Sequence, residues 1–161
     1  MSFETDAKRG VLNSYGPRVT NGKFGAYHTT DGLLQTAMWD FAYNDLPAGS
    51  TSKLSFSIPA NSTIVSAKLY VDSAFTSTSG LTDLTVGLEQ ADGTDIDVDG
   101  LVTAAQATEV TLAVADSVIV GAGALVGKTV GAAAGELVII PSTADLLTGT
   151  GRVVVEFVKN S

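Results

Sequence analysis

The chain has 161 residues, 45% hydrophobic and 16% charged, with a formal net charge of −8 and no Cys. That length and apolar content suit one domain with its own core; the acidic balance repels nucleic-acid phosphates, and the missing Cys removes disulfides, thiol nucleophiles and zinc–thiolate sites. The N-terminal MSFETDAKRG lacks the apolar core of a signal peptide, and no run reaches the roughly 18 apolar residues of a membrane helix, so a secreted or membrane-bound protein is not expected.

Residues 1–30 show little periodicity and are punctuated by Gly10, Gly16, Pro17, Gly22 and Gly25. They carry Lys8, Arg9, Arg18 and Lys23 against Glu4 and Asp6, a net +2, whereas residues 31–161 stand at −10. We read them as an extended N-terminal arm of the kind that orders against a partner, preceding a β-sandwich domain over 31–161. In LLQTAMWDFAY (33–43) alternation puts Leu33, Ala37, Trp39, Phe41 and Tyr43 on one face and Asp40 on the other. The run 44–49, NDLPAG, reads as a loop. KLSFSI (53–58) alternates with Leu54, Phe56 and Ile58 inward, and PANST makes the next turn. IVSAKLYVDSAF (64–75) places Val65, Ala67, Leu69 and Val71 on one face, with Ser66, Lys68 and Tyr70 opposite. LTVGLE (84–89) turns Leu84, Val86 and Leu88 inward. LVTAAQATEVTLA (101–113) is the only candidate helix, weakened by its β-branched residues. SVIV (117–120), ELVII (136–140) and RVVVEFV (152–158) are short and strand-like. Seven or eight short strands with turns between them predict an all-β fold: an antiparallel β-sandwich or jelly roll with at most one short helix.

The stretch DGTDIDVDG (92–100) offers the sharpest chemical motif. Asp95, Asp97, Asp99 and Gly100 spell the D-x-D-x-D-G opening of an EF-type calcium loop. Calcium needs roughly six to eight oxygens, supplied in such a loop from positions 1, 3, 5, 7, 9 and 12. Position 12 here is Gln106, which offers one neutral oxygen where a bidentate Glu belongs. A second pattern competes. Ile96 and Val98 alternate with the three Asp residues, so in a strand the carboxylates would line one face of a charged sheet edge. A calcium site at Asp95, Asp97 and Asp99 and a solvated acidic edge are both carried forward.

GAGALVGKT (121–129) ends like a phosphate loop, but the first Gly of that motif falls on Ala122, and no helix-forming sequence follows. It reads as a Gly-rich connection. His28 is the only His, and no G-x-S-x-G is present, so no triad is expected. Asn61-Ser62-Thr63 matches a glycosylation sequon but reads as a turn. Trp39, Phe41 and Tyr43 could stack on a sugar, though alternation favours a core role.

The segments NSYGPR (13–18), TTDGLLQTAMWDFAYNDLPAG (29–49) and SFSIPANSTIVSAKLYVDSAF (55–75), with LTVGLEQADGTDIDVDGL and GALVG, resemble small virion proteins of tailed bacteriophages, among them the capsid decoration or cement proteins. The resemblance implies a sandwich or jelly roll made in the host cytoplasm that binds the outside of the capsid. There it would clamp neighbouring capsomers, often as a homotrimer. The implied partner is the major capsid protein, with no nucleic acid, membrane, cofactor or catalysis. Aromatics and Arg dominate interfaces, so Tyr15, Arg18, Phe24 and Tyr27 of the arm are the candidate partner-binding residues. The alternative is a glycan- or host-binding sandwich, a head-fibre or minor virion protein, with calcium at the three Asp residues.

Overall fold

The computed structural model describes residues 33–46, 52–78, 83–142 and 145–160, and the side chains of 52–56 lie outside that description. Among the described residues eight strands form: β1 (Leu34–Ala42), β2 (Ser52–Ile58), β3 (Ser62–Ser77), β4 (Leu84–Glu89), β5 (Asp95–Val102), β6 (Ser117–Val120), β7 (Gly135–Pro141) and β8 (Leu146–Lys159). A single helical turn, α1 (Glu109–Leu112), separates β5 from β6.

The strands make two four-stranded sheets, in the orders β1-β8-β3-β6 and β2-β7-β4-β5. β1 pairs with β8, β2 with β7, β3 with β6 and β4 with β5, all antiparallel. Each strand therefore pairs with its counterpart from the other end of the fold. This is the connectivity of a long hairpin rolled into two sheets, an eight-stranded jelly roll. Ile64, Leu69, Val71, Val153, Val155 and Phe157 from the first sheet meet Leu84, Val86, Leu88, Leu137 and Ile139 from the second, all buried. These are the alternate positions that a pleated strand turns to one side.

Several expectations needed correction. Val65 is exposed and Ile64 is buried. The register against β8 shifts between Ile64 and Ser66, leaving Val65 as the extra residue of a bulge. One inserted residue flips the faces on either side of it. Leu33 and Tyr43 are also exposed: Leu33 precedes the start of β1, and at the other end the chain leaves β1 at Ala42 and enters a 3-10 turn at Tyr43. The expected helix over 101–113 shrinks to four residues. Leu101 and Val102 instead finish β5 and are fully buried, and Thr108 caps α1 by accepting from the Thr111 amide.

β8 begins six residues earlier than the apolar run RVVVEFV. The extension is glycine-tolerant for a physical reason. Gly149 has φ of 123°, and a Cβ there would lie 2.1 Å from the Phe75 ring; one on Gly151 would lie 2.7 Å from the Tyr70 carbonyl oxygen and 3.1 Å from the Phe41 ring. The two rings, which stack at 5.8 Å between centroids, occupy the space that side chains would need. Trp39 packs against the core beside Phe41, as alternation predicted. Asn61 makes the β2–β3 turn with φ of 59°, a left-handed conformation that Asn tolerates.

Candidate interaction surface

The acidic stretch is a strand. β5 is the edge of the second sheet, and Leu88 pairs with Asp97 and Glu89 with Asp95. Asp95 and Asp99 are exposed, Asp97 is half-buried, and Gly100 is buried within the strand. The acidic-edge arrangement is thus the local structure. Burial first, then a side-chain hydrogen bond and the charge of Asp99, push the Asp97 carboxyl above its ordinary pKa; a hydrogen bond from the Asp99 backbone, then Lys128, pull the other way. Gln106, position 12 of the loop motif, is committed elsewhere. Its Oε1 accepts from the amides of Thr103 (3.0 Å) and Ala122 (3.2 Å), and its Nε2 donates to the Val120 carbonyl at 2.9 Å. Among the described residues, no three His, Cys, Asp or Glu side chains are grouped as a metal site requires.

The Gly-rich connection after β6 closes one side of the sandwich. The amides of Gly121 and Gly127 donate to Ala67 and Ile64 of β3, while those of Gly123 and Leu125 donate to Leu101 and Gly100 of β5. A Cβ on Gly121 would lie 2.3 Å from the Leu101 oxygen, and one on Gly123 would lie 2.3 Å from the Gly100 carbonyl carbon. These glycines let backbones meet. Their amides are spent on strands, and no helix follows them, so no phosphate cradle forms.

The outward face of the first sheet carries the other notable surface. Strand pairing aligns its side chains into cross-strand rows. One row runs Met38–Val154–Lys68–Val120, and the next runs Asp40–Arg152–Tyr70–Val118. A further row joins Thr36, Glu156 and Ser66. Leu34, Met38, Val118 and Val120 are exposed large apolar residues, Met38 at 57% and Val120 at 63%. Polar ties hold the rows in place. Arg152 pairs with Asp40, which raises the arginine pKa through the hydrogen bond first and the charge second. Ser66 Oγ donates to Glu156 Oε2 at 2.6 Å. Ser73 with Thr150 and Thr76 with Thr148 share hydroxyl bonds of 2.8 Å. The result is a face that mixes exposed apolar and polar side chains. A cleft lined by Phe75, Glu109, Leu112 and Leu146 encloses only about 10 Å³, room for about one water and far below the roughly 300 Å³ at which small-molecule sites begin.

The sequence reading did not single out this face. Its signal was present in the apolar residues on both sides of β8 and β6. In RVVVEFV and SVIV, Val154, Val158, Val118 and Val120 stand at positions where a strand with one wet face would carry polar residues. The arm residues Tyr15, Arg18, Phe24 and Tyr27, and His28, lie outside the described residues. No described helix is long and apolar enough to cross a membrane.

Fold and surface together define an eight-stranded jelly roll with one apolar-enriched sheet face. The same fold occurs in a chain of the cyanophage Pam1 capsid asymmetric unit, with a TM-score of 0.57, 17% identity, and 94% of this chain and 95% of that one covered. It also occurs in a chain of the capsid of Ralstonia phage GP4, with a TM-score of 0.55, 20% identity, and 81% and 87% covered. No family model matches the chain, and no curated protein does.

Proposed function

We propose that the chain is a non-enzymatic virion structural protein that binds the outer surface of a phage capsid and stabilises contacts between capsomers. The observation that carries this reading is the fold shared with a chain of the cyanophage Pam1 capsid over nearly the full length of both chains. The outward face with Leu34, Met38, Val118 and Val120 supplies a docking surface of suitable chemistry. Burying exposed apolar area contributes about 25 cal/mol per Å². In this reading the bound unit is a trimer, and Tyr15, Arg18, Phe24 and Tyr27 of the arm add contacts to the major capsid protein or to a neighbouring copy. Many copies bridging adjacent subunits resist internal pressure together, since separation must break several contacts at once. The acidic body keeps decorated particles apart.

The test is fractionation of the native source on a density gradient, with the chain tracked by mass spectrometry. Banding with particles at many copies per shell is expected. A chain confined to the soluble fractions would contradict the proposal.

A further inference from the structure

Lys68 stands in the middle of the outward face of the first sheet. Its neighbours along β3, Ala67 and Leu69, are fully buried, so its own side chain leaves the other side of the strand. Strand pairing sets it between Val154 of β8 and Val120 of β6, with Met38 of β1 at the end of the same row. Met38 and Val120 are exposed, and Lys68 and Val154 are half-buried. The adjoining rows hold further charges, and these are already engaged. Arg152 is paired with Asp40, and Glu156 accepts from the Ser66 hydroxyl at 2.6 Å. Lys68 belongs to neither tie. It is a cation set in a row of apolar side chains.

That position constrains whatever covers the face. An ammonium covered by an apolar surface loses its hydration and gains nothing in return, whereas one that meets a carboxylate exchanges water for an ion pair. The lysine stem can lie along Val154 and Val120 while its charged end points away from the sheet. We infer that the partner surface carries an Asp or Glu carboxylate opposite Lys68, set among apolar residues that meet Met38, Val154 and Val120. That partner is the major capsid protein, and the inference rests on the reading that this face docks to the shell. Apolar contact supplies stabilisation without direction. The ion pair fixes where the partner sits along the face, and it rejects surfaces that bring a cation to that point. The net charge of −8 does not forbid an acidic partner. In these rows Lys68 and Arg152 balance Asp40 and Glu156, and the acidic strand β5 belongs to the other sheet.

The test binds the full-length chain to phage shells that lack it and treats the decorated shells with a water-soluble carbodiimide. This reagent joins an amine to a carboxylate in contact with it as an amide, with loss of water. Mass spectrometry of the digest should find Lys68 linked to an Asp or Glu of the major capsid protein. Lys68→Met keeps the stem and removes the charge; it should melt like the parent and bind the shells at least about tenfold more weakly. Lys68→Arg should restore binding, since a guanidinium also pairs with a carboxylate, and should give no link at that position. If the parent binds and Lys68→Met binds equally well, the inference is overturned while capsid docking stands. A link from Lys68 to Asp95, Asp97 or Asp99 of a second copy would overturn it as well, by placing the face between copies. A parent chain that does not bind the shells would overturn the docking reading, and the inference with it.

Discussion

Gln106 donates from Nε2 to the Val120 carbonyl at 2.9 Å while its Oε1 accepts from the Thr103 and Ala122 amides. One side chain thereby ties the turn after β5 to the end of β6, across the side of the sandwich. Leu cannot replace those bonds, so Gln106→Leu should destabilise the fold by about 1–3 kcal/mol. Urea unfolding would measure it, and a variant as stable as the parent would show that water replaces the tie.

The same commitment bears on calcium. With Gln106 turned away and β5 extended, excess calcium followed by chelator should leave the melting curve unmoved. A rise in melting temperature with calcium, lost in Asp97→Asn, would show that Asp95, Asp97 and Asp99 hold the ion without position 12 of the motif.

Asp97 gives a pH signature. Its folded pKa lies above the ordinary value because burial and Asp99 disfavour the charged form. The folded state therefore holds the proton more tightly than the unfolded chain, and this contribution to stability is present below the ordinary pKa of about 3.9. It is lost as pH rises through the raised folded value. Asp97→Asn should accordingly be more stable than the parent at pH 7, with the difference closing as pH falls below the ordinary aspartate range. Melting from pH 3 to pH 7 checks the sign; a variant less stable than the parent at neutral pH would mean that the Asp99 backbone hydrogen bond and Lys128 outweigh burial and the Asp99 carboxylate.

Gly87 and Gly93 separate close approach from backbone conformation. A Cβ on Gly87 would lie 2.1 Å from the Asp97 carbonyl oxygen, whereas one on Gly93 would meet nothing, the cost there being its φ of 88°. Gly87→Ala should lose about 3 kcal/mol or more, and Gly93→Ala about 1 kcal/mol. Equal losses in chemical denaturation would contradict the packing of β5 over β4.

Much of this fold was legible in the sequence, because alternation marks a half-buried strand wherever no bulge intervenes. Leu84, Val86 and Leu88 face inward as their spacing predicts. Val65 does not, since a bulge is a property of pairing with β8 and leaves no mark in β3 alone. The start of β8 was hidden because Gly149 and Gly151 look like turn residues until the Phe75 and Phe41 rings are placed over them. The outward face was hidden for a related reason. Met38, Val154 and Val120 are distant in sequence, and only the strand order sets them in one row. The acidic stretch showed both of its patterns, and neither could be chosen without knowing where Gln106 points.

Met38→Glu/Val120→Lys tests the outward face by itself. Both side chains are mostly exposed, so stability should change by no more than about 0.5 kcal/mol for each. Capsid association should fall at least tenfold in co-sedimentation. A variant that binds as well as the parent would move the docking surface elsewhere.

The most direct measurement adds the purified chain to phage shells that lack it and follows both sedimentation and heat resistance of the particles. The account predicts saturable co-sedimentation at many copies per shell and a higher disruption temperature for the decorated shells. A chain that stays in the supernatant, or one that binds and leaves the disruption temperature unchanged, would contradict it.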